Sequence, residues 1–120
     1  MEIKKIEVNG NNYQFVNSSR NTRSGFAHDT TLFKNDCEIA DCSCHYLNRT
    51  WECYRYQTVM QRCISEEIDR EYNRFIENYK HSNNIKRMTA EKRCLADIEF
   101  ENQADIKELR EVYKQLEYRY

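Results

Sequence analysis

The densest chemistry in the chain lies at "HYLNRTWECYRYQTVM", residues 45–60, which packs two arginines, four aromatic rings, an asparagine and a glutamine into sixteen positions. A second group precedes it: Arg20 and Arg23 in a polar, basic stretch, then Phe26 and His28. Arginine grips phosphate through two parallel N–H donors and stacks on rings, tyrosine and tryptophan stack on bases, and Asn or Gln offers a donor and an acceptor to an adenine edge. These types together suit a nucleotide-like ligand, with Arg23, Arg49 and Arg55 for phosphate. Phe26, Trp51, Tyr54 and Tyr56 would stack, and Asn48 and Gln57 would read base or ribose, with His28 beside them. A packing reading competes, in which Trp51 and some of the tyrosines fill the joint between sheet and helices and Arg49 pairs with Glu52.

Other chemistries fit less well. Cys37, Cys42, Cys44, His45 and Cys53 place soft ligands in one region, but on a strand Cys42 and Cys44 stand ~6.5–7 Å apart along one face while His45 points away. Tetrahedral zinc needs sulfurs converging at about 2.3 Å from the ion. Reduced, half-buried thiols are the expectation, with Cys63 and Cys94 as small hydrophobes at helix-packing positions, and no metal or other cofactor. Nucleophilic catalysis needs a thiol or hydroxyl beside a base and an oxyanion site, and two glycines leave little material for strained elbows or phosphate-cradling loops. The acidic run "SEEIDREYNR" reads as a solvated helix face with pairs four residues apart. The chain is therefore not expected to be an enzyme.

The whole composition sets the frame for these residues. With 120 residues the chain is expected to form one domain, 1–120, with a strand-rich half over 1–57 and a helical half over 58–120. Nineteen basic against twenty acidic residues give a formal net charge of -1, so neither a cationic field for nucleic acid nor an acidic DNA-mimicking field dominates. No apolar run approaches the ~20 residues that cross a bilayer, and "MEIKKIEVNG" lacks the features of a secretion signal. A cytoplasmic protein follows, in which six cysteines stay reduced and the sequons at Asn17 and Asn48 carry no sugar.

Strands come first and helices second, which predicts an α+β fold rather than an alternating one. "EIKKIEV" and "NYQFV" flank "NGNN", an Asn-Gly turn signal, and predict a hairpin over residues 2–16. "NSSRNTRSG" reads as a loop. "FAHDTTLF" and "CEIADCSCHYL" on either side of "KND" predict a second hairpin, and "CYRYQ" a further short strand. From Thr58, Met60, Ile64, Ile68, Tyr72, Phe75, Ile76 and Tyr79 recur every three or four residues as the stripe of an amphipathic helix, which "KHSNNIKRM" breaks. Thr89 then caps a second helix. Its distal part carries Ile106, Leu109, Tyr113, Leu116 and Tyr120 in the pattern of a seam that packs either within the chain or on a second copy. Leu95 and Ile98 keep this phase approximately, while Asn102 stands where an apolar residue is expected. The expectation is an N-terminal antiparallel β-sheet of hairpins followed by two C-terminal amphipathic α-helices.

"GFAHDTTLF" followed by "CHYLNRTWECYRYQTVM" resembles a group of small proteins encoded by phages and prophages of Gram-positive bacteria, over residues 23–58, with "NRTWE.Y.YQTV" as the distinctive core. Within that group the order of a strand-rich half and C-terminal helices resembles the phage anti-Thoeris sponge proteins. Those proteins are homodimers, sometimes assembled further, that sequester cyclic ADP-ribose isomers made by bacterial TIR-domain defence enzymes; some members hold cyclic oligonucleotides. The resemblance implies a protein of the infected host cytosol that binds a cyclic nucleotide intact and starves the downstream effector, with a pocket between two protomers. Arg110, on the charged face of the last helix, joins the site residues because a dimer brings it to the partner's sheet. The alternative is a protein-binding inhibitor of a host defence nuclease, similar to an anti-CRISPR protein, which works through an interface rather than a pocket.

Overall fold

The computed structural model describes residues 1–47 and 56–117. Four strands form one antiparallel sheet, β1 (Glu2–Val8), β2 (Asn11–Thr22), β3 (Gly25–Lys34) and β4 (Cys37–Leu47), in the order β1-β2-β3-β4. Three helices follow, α1 (Tyr56–Ser82), α2 (Ala90–Glu101) and α3 (Ala104–Glu117). The arrangement is α+β, with three helices where two were expected.

The turns follow from residues that tolerate the left-handed region. Asn9 and Gly10 take φ of 53° and 81°, and Asn35 and Asp36 take 49° and 68°, the paired positive values of two-residue hairpin turns whose twist matches the strands. A Cβ on Gly10 would meet nothing within 4 Å, so its glycine answers to conformation rather than crowding. Asn35 ties the two turns together: its Oδ1 accepts from the Asn12 N–H at 2.9 Å and its Nδ2 donates to Asn11 Oδ1 at 2.9 Å.

β2 is longer than expected. "NSSRNT", read as loop, pairs residue by residue with β3 from Asn17↔Thr30 to Thr22↔Gly25. Ser18, Arg20 and Thr22 supply no apolar alternation because they sit on the face of the sheet that carries Asp29, Ser43 and His45. The pairing therefore comes from the β3 backbone rather than from a hydrophobic pattern. At the other end of β4 the register shifts between Leu32↔Ala40 and Phe33↔Glu38. Ile39 is the extra residue, and the shift keeps Ala40, Cys42 and Cys44 on the covered face.

One face of the sheet presents Ile6, Val8, Tyr13, Phe15, Leu32, Ala40, Cys42 and Cys44 to Val59, Met60, Cys63, Ile64 and Ile68 of α1, Phe100 of α2, and Ile106, Leu109, Val112 and Leu116 of α3. Strand and helix halves thus share one core. The expected α1 stripe is the buried one at Met60, Ile64, Ile68 and Ile76, with Tyr72 and Phe75 partly buried. The expected strand at "CYRYQ" is corrected for Tyr56 and Gln57, which open α1; its residues 53–55 lie outside the described residues.

Thr89 caps α2 as its side chain accepts from the Lys92 N–H at 3.3 Å. The single long helix expected beyond it divides at Asn102, whose N–H donates to the Ile98 carbonyl at 3.1 Å while the Gln103 N–H donates to the Phe100 carbonyl at 3.2 Å. Asn102 is where the apolar seam fails, and the division lets Phe100 lodge against Tyr72 and Phe75, with ring centroids at 5.2 and 5.5 Å. Beyond it Ile106, Leu109 and Leu116 are buried and Tyr113 is partly buried in this chain's own core. From Ile106 to Leu116 the seam's partner is therefore the same chain, whereas Leu95 and Ile98, which keep its phase upstream, are exposed. Tyr120 lies outside the described residues. Among the described residues no helix is long and apolar enough to cross a membrane.

Candidate functional site

The end of the sheet that carries the β2–β3 turn gathers three of the expected residues. Arg23 stands exposed in that turn and makes no ion pair among the described residues. Phe26 and His28 follow on β3, both on the helix-covered face, with their rings edge to face at 5.3 Å between centroids. Leu47, opposite Gly25, ends β4 at this same end. Asn48, Arg49, Trp51, Tyr54 and Arg55 lie outside the described residues; Tyr56 and Gln57 form the first turn of α1.

Rows of side chains cross the covered face here, with His28 opposite Cys44 and Thr30 opposite Asn17 and Cys42. Asn17 is wholly buried; its Oδ1 accepts from the Thr30 hydroxyl at 2.6 Å and its Nδ2 donates to Met60 Sδ at 3.5 Å, which links β2 to α1. Arg62 Nη1 lies 3.3 Å from Cys44 Sγ, while its Nε donates to Glu66 at 3.0 Å. His28 is 6% exposed, and this burial holds its imidazole below the usual histidine range, an effect that the neighbouring Asp29 carboxylate partly offsets. It is therefore a neutral ring near neutral pH, able to donate from one nitrogen and accept at the other.

Sequence reasoning passed over Asn17 and Thr30. The signal was available: Asn17 continues the two-residue phase of Tyr13 and Phe15, and Thr30 that of His28 and Leu32.

The opposite face of this end is a polar surface. Asp29 accepts from Arg20 Nε at 3.1 Å and from the Ser43 hydroxyl, and Thr22 Oγ1 meets His45 Nε2 at 2.7 Å across Gly25 and Ala27. Serine, histidine and aspartate are all present here, but the hydrogen bonds join Ser43 to Asp29 and His45 to Thr22. On this face, among the described residues, the histidine bonds to Thr22 and the carboxylate to Ser43, which is not the hydroxyl–histidine–carboxylate order of such a relay.

The five described cysteines are free, and burial pushes the Cys42 and Cys63 thiols up to about 12, far from the thiolate that nucleophiles and metal ligands require. Among the described residues no group of three His, Cys, Asp or Glu side chains is placed to hold a metal ion.

Arg110 belongs elsewhere within this chain. Its guanidinium grips Glu101 through Nη2 at 2.7 Å and Nε at 3.3 Å. Two residues before it, the buried Glu108 accepts from Asn11 beside the Asn9–Gly10 turn at 2.6 Å, so α3 places Arg110 toward the end of the sheet opposite Arg23. A cavity of about 170 Å³ near that end is lined by Glu67, Glu71 and Asp105 against Lys34, together with Ile39 and Ile106. Its excess of carboxylates repels a phosphate.

No protein-family model matches the chain, and neither a curated protein nor a solved structure matches it significantly.

Proposed function

We propose that the chain is a phage counter-defence protein that binds a cyclic nucleotide-type immune signal, a glycocyclic ADP-ribose isomer, and sequesters it uncleaved in the cytosol of the infected bacterium, blocking Thoeris immunity. The observation that carries this reading is that Arg23 in the β2–β3 turn and the Phe26–His28 ring pair on β3 lie toward the end of the sheet where β4 ends at Leu47, the residue before the motif. A pyrophosphate supplies charge for Arg23, Arg49 and Arg55, and an adenine supplies a face for Phe26, Trp51, Tyr54 and Tyr56. Asn48 and Gln57 read the base or ribose. The working unit is a homodimer or a larger assembly of the same chain, and Arg110 contributes to the ligand site of a neighbouring protomer. Sequestration needs no catalyst: the protein has only to outnumber and outbind the effector.

A thermal-shift panel against cyclic ADP-ribose isomers and cyclic dinucleotides tests the reading, because a ligand that binds only the folded state raises the midpoint by mass action. A shift of several degrees with one isomer, followed by recovery of that isomer unaltered after heating, is the expected result. Recovery in a cleaved form assigns an enzyme instead. A flat panel overturns the reading and transfers the protein to the inhibitors that act through a protein interface.

A further inference from the structure

Helix α1 runs 27 residues, about 40 Å, and Ile76 is the last of them to be buried. The connection to α2 beyond it is fixed by its own backbone. Asn84 takes φ of 53°, and the Ile85 N–H donates back to the Lys80 carbonyl at 2.8 Å, the closing bond of a helix-ending turn. Between residues 80 and 93 this end of the helical pair carries Lys80, Lys86, Arg87, Lys92 and Arg93 against Glu91 alone. With histidine neutral that is a formal +4, in a chain whose total is -1. Lys86, Arg87 and Lys92 are exposed and make no ion pair among the described residues, whereas Lys80 lies 3.5 Å from Glu77 and Arg93 donates to the Tyr72 hydroxyl at 3.0 Å.

We infer that this end of the helical pair binds the phosphate backbone of duplex nucleic acid without reading its sequence. Cations that have no ion pair in the free protein give up none on meeting phosphate, and each releases condensed counterions from the duplex. The rest of the chain carries a formal -5, so attraction to a polyanion is confined to this end and sets the direction of approach. Burial selects among polyanions. The large exposed apolar side chains of the described residues are Met1, Ile3, Leu95 and Ile98; residues 80–93 hold none, and Ile85 and Met88 are half-buried. A membrane surface holds a protein through apolar side chains that enter the headgroup boundary, and a protein interface has an apolar centre. A phosphate backbone asks for neither. A single strand is gripped by exposed rings that stack on its bases, but Tyr79, beside the cluster in sequence, is half-buried with Phe75 at 6.0 Å between centroids.

The inference rests on residues outside the proposed ligand site, so either can fail alone. Fluorescence anisotropy of a labelled duplex of about 20 base pairs, titrated with the full chain at about 50 mM salt, should give a dissociation constant of about 1–100 µM. Log affinity should fall against log salt with a slope of about -3, from three phosphate contacts at about -0.9 each. Lys86→Glu combined with Arg87→Glu should melt with the wild type, since both side chains are exposed, and should bind about tenfold or more weakly. Lys92→Ala should flatten the salt slope by about one. No binding at this salt, an affinity indifferent to the double variant, or a slope that Lys92→Ala leaves unchanged overturns the inference. Tighter binding to a single strand of the same length overturns the choice of duplex, and tighter binding to vesicles containing phosphatidylglycerol assigns this end to a membrane surface instead.

Discussion

Thr30 on β3 donates its hydroxyl hydrogen to Asn17 Oδ1 on β2 at 2.6 Å, and the two residues are also direct backbone partners across the sheet. Both are buried, so each polar atom depends on the other. Thr30→Val keeps the shape and removes the donor, leaving a buried carbonyl oxygen without its partner, which costs about 1–3 kcal/mol. Urea unfolding should show a lower midpoint with an unchanged slope, and replacing Asn17 by Leu in the same chain should recover part of the loss. An unmoved midpoint for Thr30→Val would show that the pair contributes nothing.

His28 makes stability depend on pH in a defined direction. Its folded-state affinity for a proton is lowered, chiefly by burial, so the unfolded chain protonates first. The contribution to stability is complete above the ordinary histidine value of about 6.5 and is lost as pH falls below it through the lower folded value. Denaturation series at about pH 7.5 and about pH 5 should therefore differ more for the wild type than for His28→Gln. Identical differences in the two proteins would show that the imidazole is not the group responsible.

Arg23 is exposed and lies in a turn, so Arg23→Ala should melt with the wild type. Under the proposed function it should bind the cyclic ADP-ribose isomer about tenfold or more weakly, the loss of one charge-assisted contact to phosphate. Calorimetric titration of both proteins measures this, and equal affinities would remove Arg23 from the site.

Phe15 and Leu95 should respond oppositely to truncation. Phe15 is fully buried at the centre of the covered face, and Phe15→Ala removes a ring whose cavity the surrounding helices cannot close, at about 3–5 kcal/mol. Leu95 is exposed on α2, and Leu95→Ala measured at low protein concentration should stay within about 0.5 kcal/mol of the wild type. Comparable losses at both positions would contradict the division between core and surface.

Local rules made much of the fold legible. Asn9–Gly10 and Asn35–Asp36 are among the few pairs that accept two consecutive left-handed residues, so both turns announce themselves. Met60, Ile64, Ile68 and Ile76 mark one helical stripe, and Thr89 marks a helix start. The upper half of β2 was hidden because Ser18, Arg20 and Thr22 form a polar surface, and their strand is fixed by β3 rather than by their own pattern. The division after α2 showed only as a single misplaced asparagine. Of the site, Phe26 and His28 could be read from residue type, whereas Asn17 required knowing that the strand continued through it. The seam of α3 stayed ambiguous in sequence because an a/d pattern records that something covers it, not which chain does.

Each strand pairs with the one just before it, so the sheet is a meander with no crossover. Every strand contact is made by residues close in sequence, and loop-closure entropy stays small at each step. During synthesis the whole sheet can zip together while α1 is still inside the ribosome. The helices cannot complete their burial without it, because Tyr13, Phe15 and Leu32 supply the floor on which they close. Until α1 emerges that floor is open to water, which makes the interval between the two halves the chain's moment of greatest exposure to aggregation.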